Sequence, residues 1–221
     1  MSELHTILAA ACTGGTSALR LRTRLAPAGG DGDKVFPPTY AADGKVPYAL
    51  ETRHVEGKEE KVVLLDSVQS QANRMEQALK KAWEEGRISL PVVQAEIPGY
   101  GKLTSLDVPH RIADAIFRDC TLNGKNFLDS PEGIAFAEAR LQNARPLYIS
   151  CPTALVFGMW HSQGKAGGLG CKFARALVSE VVGYGVRLGE RTSSRIDPLG
   201  ISSKVEIFET ATGDWAVDPN E

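Results

Sequence analysis

Residues 64–78 read Leu-Leu-Asp-Ser-Val-Gln-Ser-Gln-Ala-Asn-Arg-Met-Glu-Gln-Ala and mark the junction of a strand and a helix. The run Lys61–Leu65 has the length of a buried strand, and Asp66 or Ser67 after it can accept hydrogen bonds from the first N–H groups of a helix. Apolar side chains then recur at helical spacing, at Val68, Ala72, Met75, Leu79 and Trp83. The sequence therefore predicts a strand that leads directly into a capped, amphipathic helix.

The polar residues at the start of this helix favour an anionic ligand. Free N–H groups and the positive end of the helix dipole attract phosphate or carboxylate there. The polar set consists of Ser67, Gln69, Ser70, Gln71, Asn73 and Arg74. The alternative is an ordinary amphipathic helix with a polar outer face, because capping alone is a sufficient reason for Asp and Ser at a helix start.

A second feature is the strict alternation in the segment Leu19-Arg20-Leu21-Arg22-Thr23-Arg24-Leu25. Alternation predicts a strand that carries Arg20, Arg22 and Arg24 on one face. Guanidinium groups repel one another unless solvent, acidic neighbours or a polyanion lies along them, and they pair with phosphate oxygens in a forked geometry. The arginine face is therefore either solvated or bound to phosphates.

The stretch from Ala154 to Ile201 carries a local excess of positive charge, although the whole chain has a formal net charge of -2. An apolar strand is predicted at Ala154–Trp160, followed by a glycine-rich loop from His161 to Gly170 that permits close approach of a ligand to the backbone. From residue 165 to 204 the basic residues outnumber the acidic ones. The basic residues of this range are Lys165, Lys172, Arg175, Arg187, Arg191, Arg195 and Lys204.

The remaining elements follow from turn residues and apolar spacing. Two helices are expected to open at prolines, which suit the first helical turn. The predicted elements are a strand or hairpin near Tyr48–Leu65, a strand near Leu90–Ile97, a turn at Pro98–Gly101, helices at about Pro109–Asp119 and Pro131–Asn143, a strand at Phe173, and a final hairpin from Lys204 to Val217 that turns near Ala211–Asp214.

Four blocks of this sequence together resemble one protein family. They read Leu-Asp-Ser-Val-Gln-Ser-Gln-Ala-Asn-Arg at 65–74, Pro-His-Arg-Ile-Ala-Asp-Ala at 109–115, Cys-Pro-Thr-Ala-Leu-Val-Phe-Gly-Met-Trp at 151–160 and Ser-Arg-Ile-Asp-Pro-Leu-Gly at 194–200. In this order the blocks resemble the guide-RNA-binding backbone subunit of type I-G CRISPR effector complexes, formerly called type I-U. The helix start also resembles a segment that lies against guide RNA in backbone subunits of other type I complexes.

The resemblance implies an α+β fold, with a ferredoxin-like palm of the modified RNA-recognition-motif kind and inserted finger and thumb elements. We expect one domain over residues 1–221, with a finger-like insertion at about 26–60 and a helical insertion at about 98–150. Members of that family generally extend further at the C-terminus than Glu221. Several copies are expected to assemble along one guide RNA (crRNA) in a Cascade ribonucleoprotein with other effector subunits, where the guide reads target DNA by base pairing.

The implied role is to bind RNA without cutting it, and no cofactor or metal is expected. The residues predicted to contact RNA are Arg20, Arg22, Arg24, Ser67, Gln69, Ser70, Gln71, Asn73, Arg74, His161, Lys165, Lys172, Arg175, Arg191 and Arg195. The alternative from a different class is a metal-independent ribonuclease that processes the guide precursor and uses His161 as a general acid or base.

Composition limits the other classes of protein. No apolar run approaches the length of a membrane span and the N-terminus lacks a signal peptide, so a cytoplasmic protein is expected. The four cysteines and four histidines are scattered, which argues against a zinc site or a disulfide framework. Residues 158–166 depart from the phosphate-binding loop of NTPases in spacing and end in Ala166. Trp83 and Trp160 are predicted to lie in the core, and Trp215, Tyr100 and Phe36 to be exposed.

Overall fold

The computed structural model describes residues 3–40, 47–162, 171–187 and 208–216. The chain divides into two compact units, Met1–Gly185 and Val186–Glu221. The first unit is a mixed α+β structure with small antiparallel sheets, which confirms the α+β part of the predicted fold class. Among the described residues, no helix combines the length and the apolar composition that a membrane span requires.

The elements of the first unit are short apart from one long helix. Its helices are α1 (Glu3–Thr13), α2 (Val68–Glu84), α3 (Ala115–Arg118), α4 (Pro131–Ala137), α5 (Arg145–Ser150) and α6 (Thr153–Phe157), with 3₁₀ turns at Arg111–Ala113 and Phe127–Asp129. Its strands are β1 (Leu50–Val55), β2 (Lys58–Asp66), β3 (Gln94–Ile97), β4 (Gly101–Thr104), β5 (Thr121–Leu122), β6 (Lys125–Asn126), β7 (Met159–Trp160), β8 (Lys172–Phe173) and β9 (Val181–Tyr184).

The largest sheet in the described part of the chain has the antiparallel order β1-β2-β9. Strands β1 and β2 form the predicted hairpin, and its two turn residues, Glu56 and Gly57, both have positive φ as a tight hairpin turn requires. Strand β9 pairs with the other edge of β2, and the register shifts between Leu64 and Asp66, directly before the chain enters α2. This long-range pairing was not predicted from sequence.

Helix α2 confirms the prediction made from the 64–78 stretch. Ser67 is its N-cap, and the Ser67 hydroxyl accepts a hydrogen bond from the Ser70 backbone N–H at 3.1 Å. Ala72 is buried at the centre of the predicted stripe, whereas Val68, Met75, Leu79 and Trp83 are half-buried. The helix therefore presents one side to the body of the unit, and that side also contains a buried carboxylate at Glu76.

The main core lies beneath the short helices α4, α5 and α6 and the β7–β8 ribbon. Phe136, Leu147, Cys151, Ala154 and Cys171 are among its most completely buried side chains. Burial raises the pKa of the Cys171 thiol, and the charge of Arg140 opposes that rise. A smaller cluster forms around Phe117 beneath the β3–β4 hairpin. The strand near Leu90–Ile97 and the turn at Pro98–Gly101 are thus confirmed, with the strand beginning at Gln94.

The predicted strand at Leu19–Leu25 is wrong. The segment has no regular secondary structure, and its apolar side chains are exposed, Leu21 by 88% and Leu25 by 67%. Alternation produces a strand only where a neighbouring strand supplies hydrogen-bond partners and a surface to cover the apolar face. No described strand pairs with this segment.

The predicted strand at Ala154–Trp160 is wrong over most of its length, because Thr153–Phe157 forms helix α6 and only Met159–Trp160 is extended. A short apolar run does not distinguish a strand from a buried helical turn. Here Pro152 precedes the helix, and Ala154 and Phe157 are buried at helical spacing. Gly158 then ends the helix with φ 79° and ψ 159°, a backbone conformation that is essentially restricted to glycine.

The two proline-initiated helices are shorter than predicted. Pro109–Asp119 contains a 3₁₀ turn and the four-residue helix α3, separated at Asp114, whose carboxylate caps α3 by accepting from the Ile116 N–H. The second helix, α4, ends at Ala137 instead of Asn143. In the second unit, β10 (Phe208–Glu209) and β11 (Trp215–Ala216) confirm the final hairpin and its turn at 211–214.

Candidate nucleic-acid interface

Asp66 organises the junction between β2 and α2. Its carboxylate accepts a hydrogen bond from the Gln71 side-chain amide, and Arg74 Nε lies 3.0 Å from Asp66 Oδ2. Partial burial raises the pKa of the Asp66 carboxyl. Hydrogen bonds from Ser70 and Gln71, together with the charge of Arg74, lower that pKa by a larger amount, so it lies below its usual value. Asp66 is therefore ionised near neutral pH and holds three side chains of the helix start.

The structure divides the six predicted residues of the helix start into two groups. Ser67 caps the helix, Ser70 binds Asp66, and the Gln71 side-chain oxygen accepts from the Ser179 hydroxyl at 3.0 Å. These three residues have intramolecular partners. The outward-facing group consists of Gln69, Asn73 and Arg74, and the Arg74 side chain is 69% exposed even though it pairs with Asp66.

The arginines of the N-terminal segment are exposed. Arg20, Arg22 and Arg24 lie in the irregular stretch after α1, and none of them forms an ion pair with another described residue. Without a strand, the backbone does not fix them on a common face. The structure therefore leaves their side chains accessible to a polyanion.

The β7–β8 ribbon separates core residues from surface residues. Met159 pairs with Phe173 on the buried side, while Trp160 pairs with Lys172 on the exposed side. The prediction that Trp160 lies in the core is wrong, because the residue is 65% exposed and the Lys172 ammonium lies 5.7 Å from the ring centroid. The sequence could have indicated this exposure, because neighbouring residues of a strand face opposite sides and Met159 is apolar. Trp160 then lies on the side of the ribbon away from the buried Met159. Arg175, also exposed, follows on the same returning chain.

The histidine proposed as an RNA contact, or alternatively as a catalytic acid or base, is a core residue. His161 is 2% exposed, and its ring centroid lies 5.2 Å from that of Phe136. Its backbone N–H donates to the Cys171 carbonyl at 2.8 Å, which extends the β7–β8 ribbon. This position favours a packing role over contact with a macromolecule. The remaining predicted contacts, Lys165, Arg191 and Arg195, lie outside the described residues, as does the block 194–200.

A buried ion pair that was not predicted from the sequence joins the second and third blocks to α2, at a residue just after the first block. Arg111 donates from Nε and Nη2 to the two carboxylate oxygens of Glu76, both at 2.7 Å, and from Nη1 to the Gly158 carbonyl at 2.9 Å. The guanidinium also lies 5.4 Å from the Phe157 ring centroid. Burial raises the pKa of the Glu76 carboxyl, and the bonds from Arg111 oppose that rise. A signal was present, because Glu76 falls on the apolar side of α2 between Met75 and Leu79.

The ion pair fixes the relative positions of the surface features. It ties α2, which presents the exposed polar residues at its start, to Gly158, which immediately precedes β7 and Trp160. Neither charged side chain of the pair is accessible, Arg111 being 4% and Glu76 2% exposed. The pair therefore supports the candidate interface and does not contact a ligand itself.

Comparison with known proteins identifies one family. The sequence model of the family described as "CRISPR-associated protein GSU0053" matches residues 19–188, well over half of the chain. The matched range includes the N-terminal arginines, the β2–α2 junction, the ion pair and the β7–β8 ribbon. No curated protein and no solved structure matches the chain.

Proposed function

This chain belongs to the CRISPR-associated protein GSU0053 family, and on that premise we propose that it is a non-catalytic, guide-RNA-binding backbone subunit of a type I-G effector complex. In this proposal several copies assemble along one crRNA through a ferredoxin-like palm. The guide then recognises target DNA by base pairing, and the protein holds the heteroduplex mainly through its backbone. Other effector subunits are the further partners.

The observation that carries the proposal is the exposed polar start of α2. Gln69 and Asn73 are four residues apart and so share one side of the helix, next to the exposed Arg74. Amide and guanidinium groups donate to phosphate and sugar oxygens without reading a base sequence. A backbone subunit has to accept guides of many sequences, so donors of this kind suit the role.

The Arg74–Asp66 pair leaves Arg74 able to bind a phosphate. The Arg74 side chain is 69% exposed, and exposed ion pairs contribute little to folding stability. Arg74 has further N–H groups beyond the Nε that faces Asp66, so a phosphate can bind the outer edge of the guanidinium. The intramolecular pair restricts the orientation of Arg74 before RNA arrives and reduces the conformational entropy lost on binding.

The ribonuclease alternative receives no support from the geometry. Its proposed acid or base, His161, is buried against Phe136, so a phosphodiester has no direct access to the imidazole in this conformation. We therefore leave His161 out of the proposed RNA track, together with Ser67, Ser70 and Gln71, whose polar groups have intramolecular partners. That track comprises Arg20, Arg22, Arg24, Gln69, Asn73, Arg74, Lys172 and Arg175 among the described residues, together with Lys165, Arg191 and Arg195 outside them.

Replacing Arg22 and Arg74 together with alanine is expected to weaken RNA binding and to flatten its salt dependence. Each lost phosphate contact should reduce the slope of log K against log salt by roughly one unit, because fewer counterions are released. Fluorescence anisotropy with a labelled RNA, repeated over a series of salt concentrations, measures both quantities.

A matched control removes two exposed lysines that are not part of the proposed RNA track. Lys81 lies at the end of α2 and Lys125 on β6, so Lys81→Ala with Lys125→Ala changes the net charge equally. The proposal requires the arginine variant to lose more affinity and more salt dependence than the lysine variant. Equal losses would show a non-specific charge effect and would contradict the assignment of Arg22 and Arg74.

Assembly on the guide is tested by co-expression with a CRISPR array transcript and its processing partner. The expected product is a multimer that carries protected RNA of guide length, seen by absorbance ratio, native mass and sequencing of the bound RNA. A monomer free of nucleic acid would contradict the backbone role. RNA that is bound but shortened at defined positions, with loss of cleavage in His161→Ala, would instead favour the ribonuclease.

A further inference from the structure

The exposed side of the β7–β8 ribbon brings an aromatic ring and a cation together. Trp160 and Lys172 are directly opposite one another across the two strands, and the Lys172 ammonium lies 5.7 Å from the ring centroid. The ring is not needed by the core, since Met159 and Phe173 fill the buried side of the same ribbon. A tryptophan that is 65% exposed is a large apolar surface in contact with water.

Arg175 extends this cationic surface toward Gly158. A Cβ atom at Gly158 would lie 2.9 Å from Arg175 Cγ and 3.0 Å from the Arg175 backbone nitrogen, so the arginine runs directly alongside the glycine. The backbone N–H groups of Ala176 and Leu177 both donate to the Val156 carbonyl, at 2.9 and 3.0 Å, which holds this returning chain in place. Lys172 therefore lies beside the Trp160 ring, and Arg175 has a defined position beside Gly158, two residues before Trp160.

The surroundings contain no competing carboxylate on the two segments that form the ribbon. Residues 156–162 and 171–177 include no Asp or Glu. The next acid along the chain, Glu180, is bound through both carboxylate oxygens by Arg53 of β1. An exposed indole with the Lys172 ammonium beside it and no acids on its own ribbon suits a nucleobase and its phosphate.

We propose that Trp160 and Lys172 form a base-stacking site for single-stranded RNA, in which one nucleobase stacks on the indole and the Lys172 ammonium contacts the adjoining phosphate. The site adds a ring contact to the backbone contacts made by the start of α2, and it rests on the proposed RNA-binding function. Stacking tolerates any base sequence because every base presents a flat π-face. The flexible lysine stem allows the ammonium to move from the ring to a phosphate.

The test compares full-length wild-type protein with Trp160→Ala and Trp160→Leu at several salt concentrations. Two probes are used, an RNA of about 12 nucleotides and an RNA of equal phosphate number that carries abasic residues, within the range of lengths that single-strand sites cover. Both variants should bind the base-bearing RNA about tenfold more weakly at every salt concentration, with an unchanged salt slope, because the lost contact is not ionic. Both should bind the abasic RNA as the wild type does.

Two further variants separate stacking from charge and from general exposure. Trp160→Phe should retain most of the preference for base-bearing RNA, because it keeps a flat ring. Lys172→Ala should reduce the salt slope, which the tryptophan variants leave unchanged. Tyr100→Ala is the matched control, since Tyr100 is a 91% exposed aromatic residue in the β3–β4 turn and not part of the ribbon, and its loss should not affect either probe.

The outcomes distinguish failure of the stacking site from failure of the proposed RNA-binding function. If the Trp160 variants bind like the wild type while the Arg22 and Arg74 variant is weakened, the stacking site is wrong and the proposed function stands. If the wild type binds neither probe, the proposed function fails and the stacking site with it. If the Trp160 variants change the assembly mass but bind the short RNA normally, the proposal is overturned and the ring belongs to a protein interface.

Discussion

Arg111→Met is expected to lower the free energy of unfolding by about 3–5 kcal/mol, a large fraction of the roughly 5–15 kcal/mol that a domain possesses. The cause is the carboxylate left behind. Glu76 is 2% exposed and receives both of its short hydrogen bonds from Arg111, so the variant buries a charge without a partner. The Gly158 carbonyl loses its bond to Nη1 as well. Positive φ at residue 111 is not a confounding factor, because Met and Arg both carry a Cβ.

The double variant Glu76→Leu with Arg111→Met identifies the cause. Removing both charges leaves an apolar pair of similar volume, and buried ion pairs replaced in this way are often neutral or stabilising. We expect the double variant to recover most of the stability lost by Arg111→Met, as measured by urea unfolding followed by circular dichroism. The control is Lys80→Met, which breaks a partly exposed pair with Asp107 and should cost about 1 kcal/mol or less. A double variant as unstable as the single one would contradict this account.

The ion pair also indicates why the sequence predicted the hairpin and helix α2 correctly but did not predict which distant residues meet in the fold. The hairpin, the N-cap and the helix depend on neighbouring residues, so the 48–84 stretch was read correctly from its apolar spacing and its capping residues. Arg111 and Glu76 are 35 residues apart, and no local pattern indicates that they meet. The helical spacing places Glu76 beside the apolar side of α2, but the sequence analysis singled out neither Glu76 nor its partner.

Long-range contacts at the polar start of α2 were likewise not predicted from the sequence. A helical pattern identified all six polar residues as candidates, but it did not predict that Ser179, 108 residues from Gln71 along the chain, donates to the Gln71 side chain. Only the long-range fold separates Gln71, which has an internal partner, from Gln69 and Asn73, which face outward. Trp160 was predicted to lie in the core, and residues 154–160 were predicted to form a continuous apolar strand. The helix that ends at Gly158 changes which side the ring occupies.

Close backbone packing at Gly133 leads to the second large effect. Gly133 is the third residue of α4, and its N–H donates to the Ser130 hydroxyl at 3.0 Å. The same hydroxyl donates to the Phe127 carbonyl at 2.6 Å, which also accepts from the Ser130 N–H at 3.0 Å. A Cβ at Gly133 would lie 1.8 Å from that carbonyl oxygen and 2.9 Å from Leu128 Cα. Backbone atoms, unlike the end of a flexible side chain, cannot move aside without breaking these bonds.

Gly133→Ala is therefore expected to destabilise the protein by about 2–4 kcal/mol, from overpacking together with loss of the Ser130 cap. Helix propensity alone predicts the opposite sign, since Ala in a helix is favoured over Gly by about 1 kcal/mol. The overlap at 1.8 Å decides between the two, because α4 must move away from the Phe127–Leu128 backbone to accept a methyl group. Thermal and urea unfolding of the purified variant measure the difference.

Gly99→Ala is the matched control for this substitution. Gly99 has φ +80° and no atom within 4 Å of a Cβ position, so its variant experiences backbone strain without steric overlap. That strain costs about 1–2 kcal/mol. The expected order of destabilisation is Gly133→Ala above Gly99→Ala, even though Gly133 lies in a helix and Gly99 in a left-handed turn. If Gly133→Ala proved more stable than the wild type, helix propensity would outweigh packing at this position. The steric overlap expected between the new methyl group and the Phe127 carbonyl would then be contradicted.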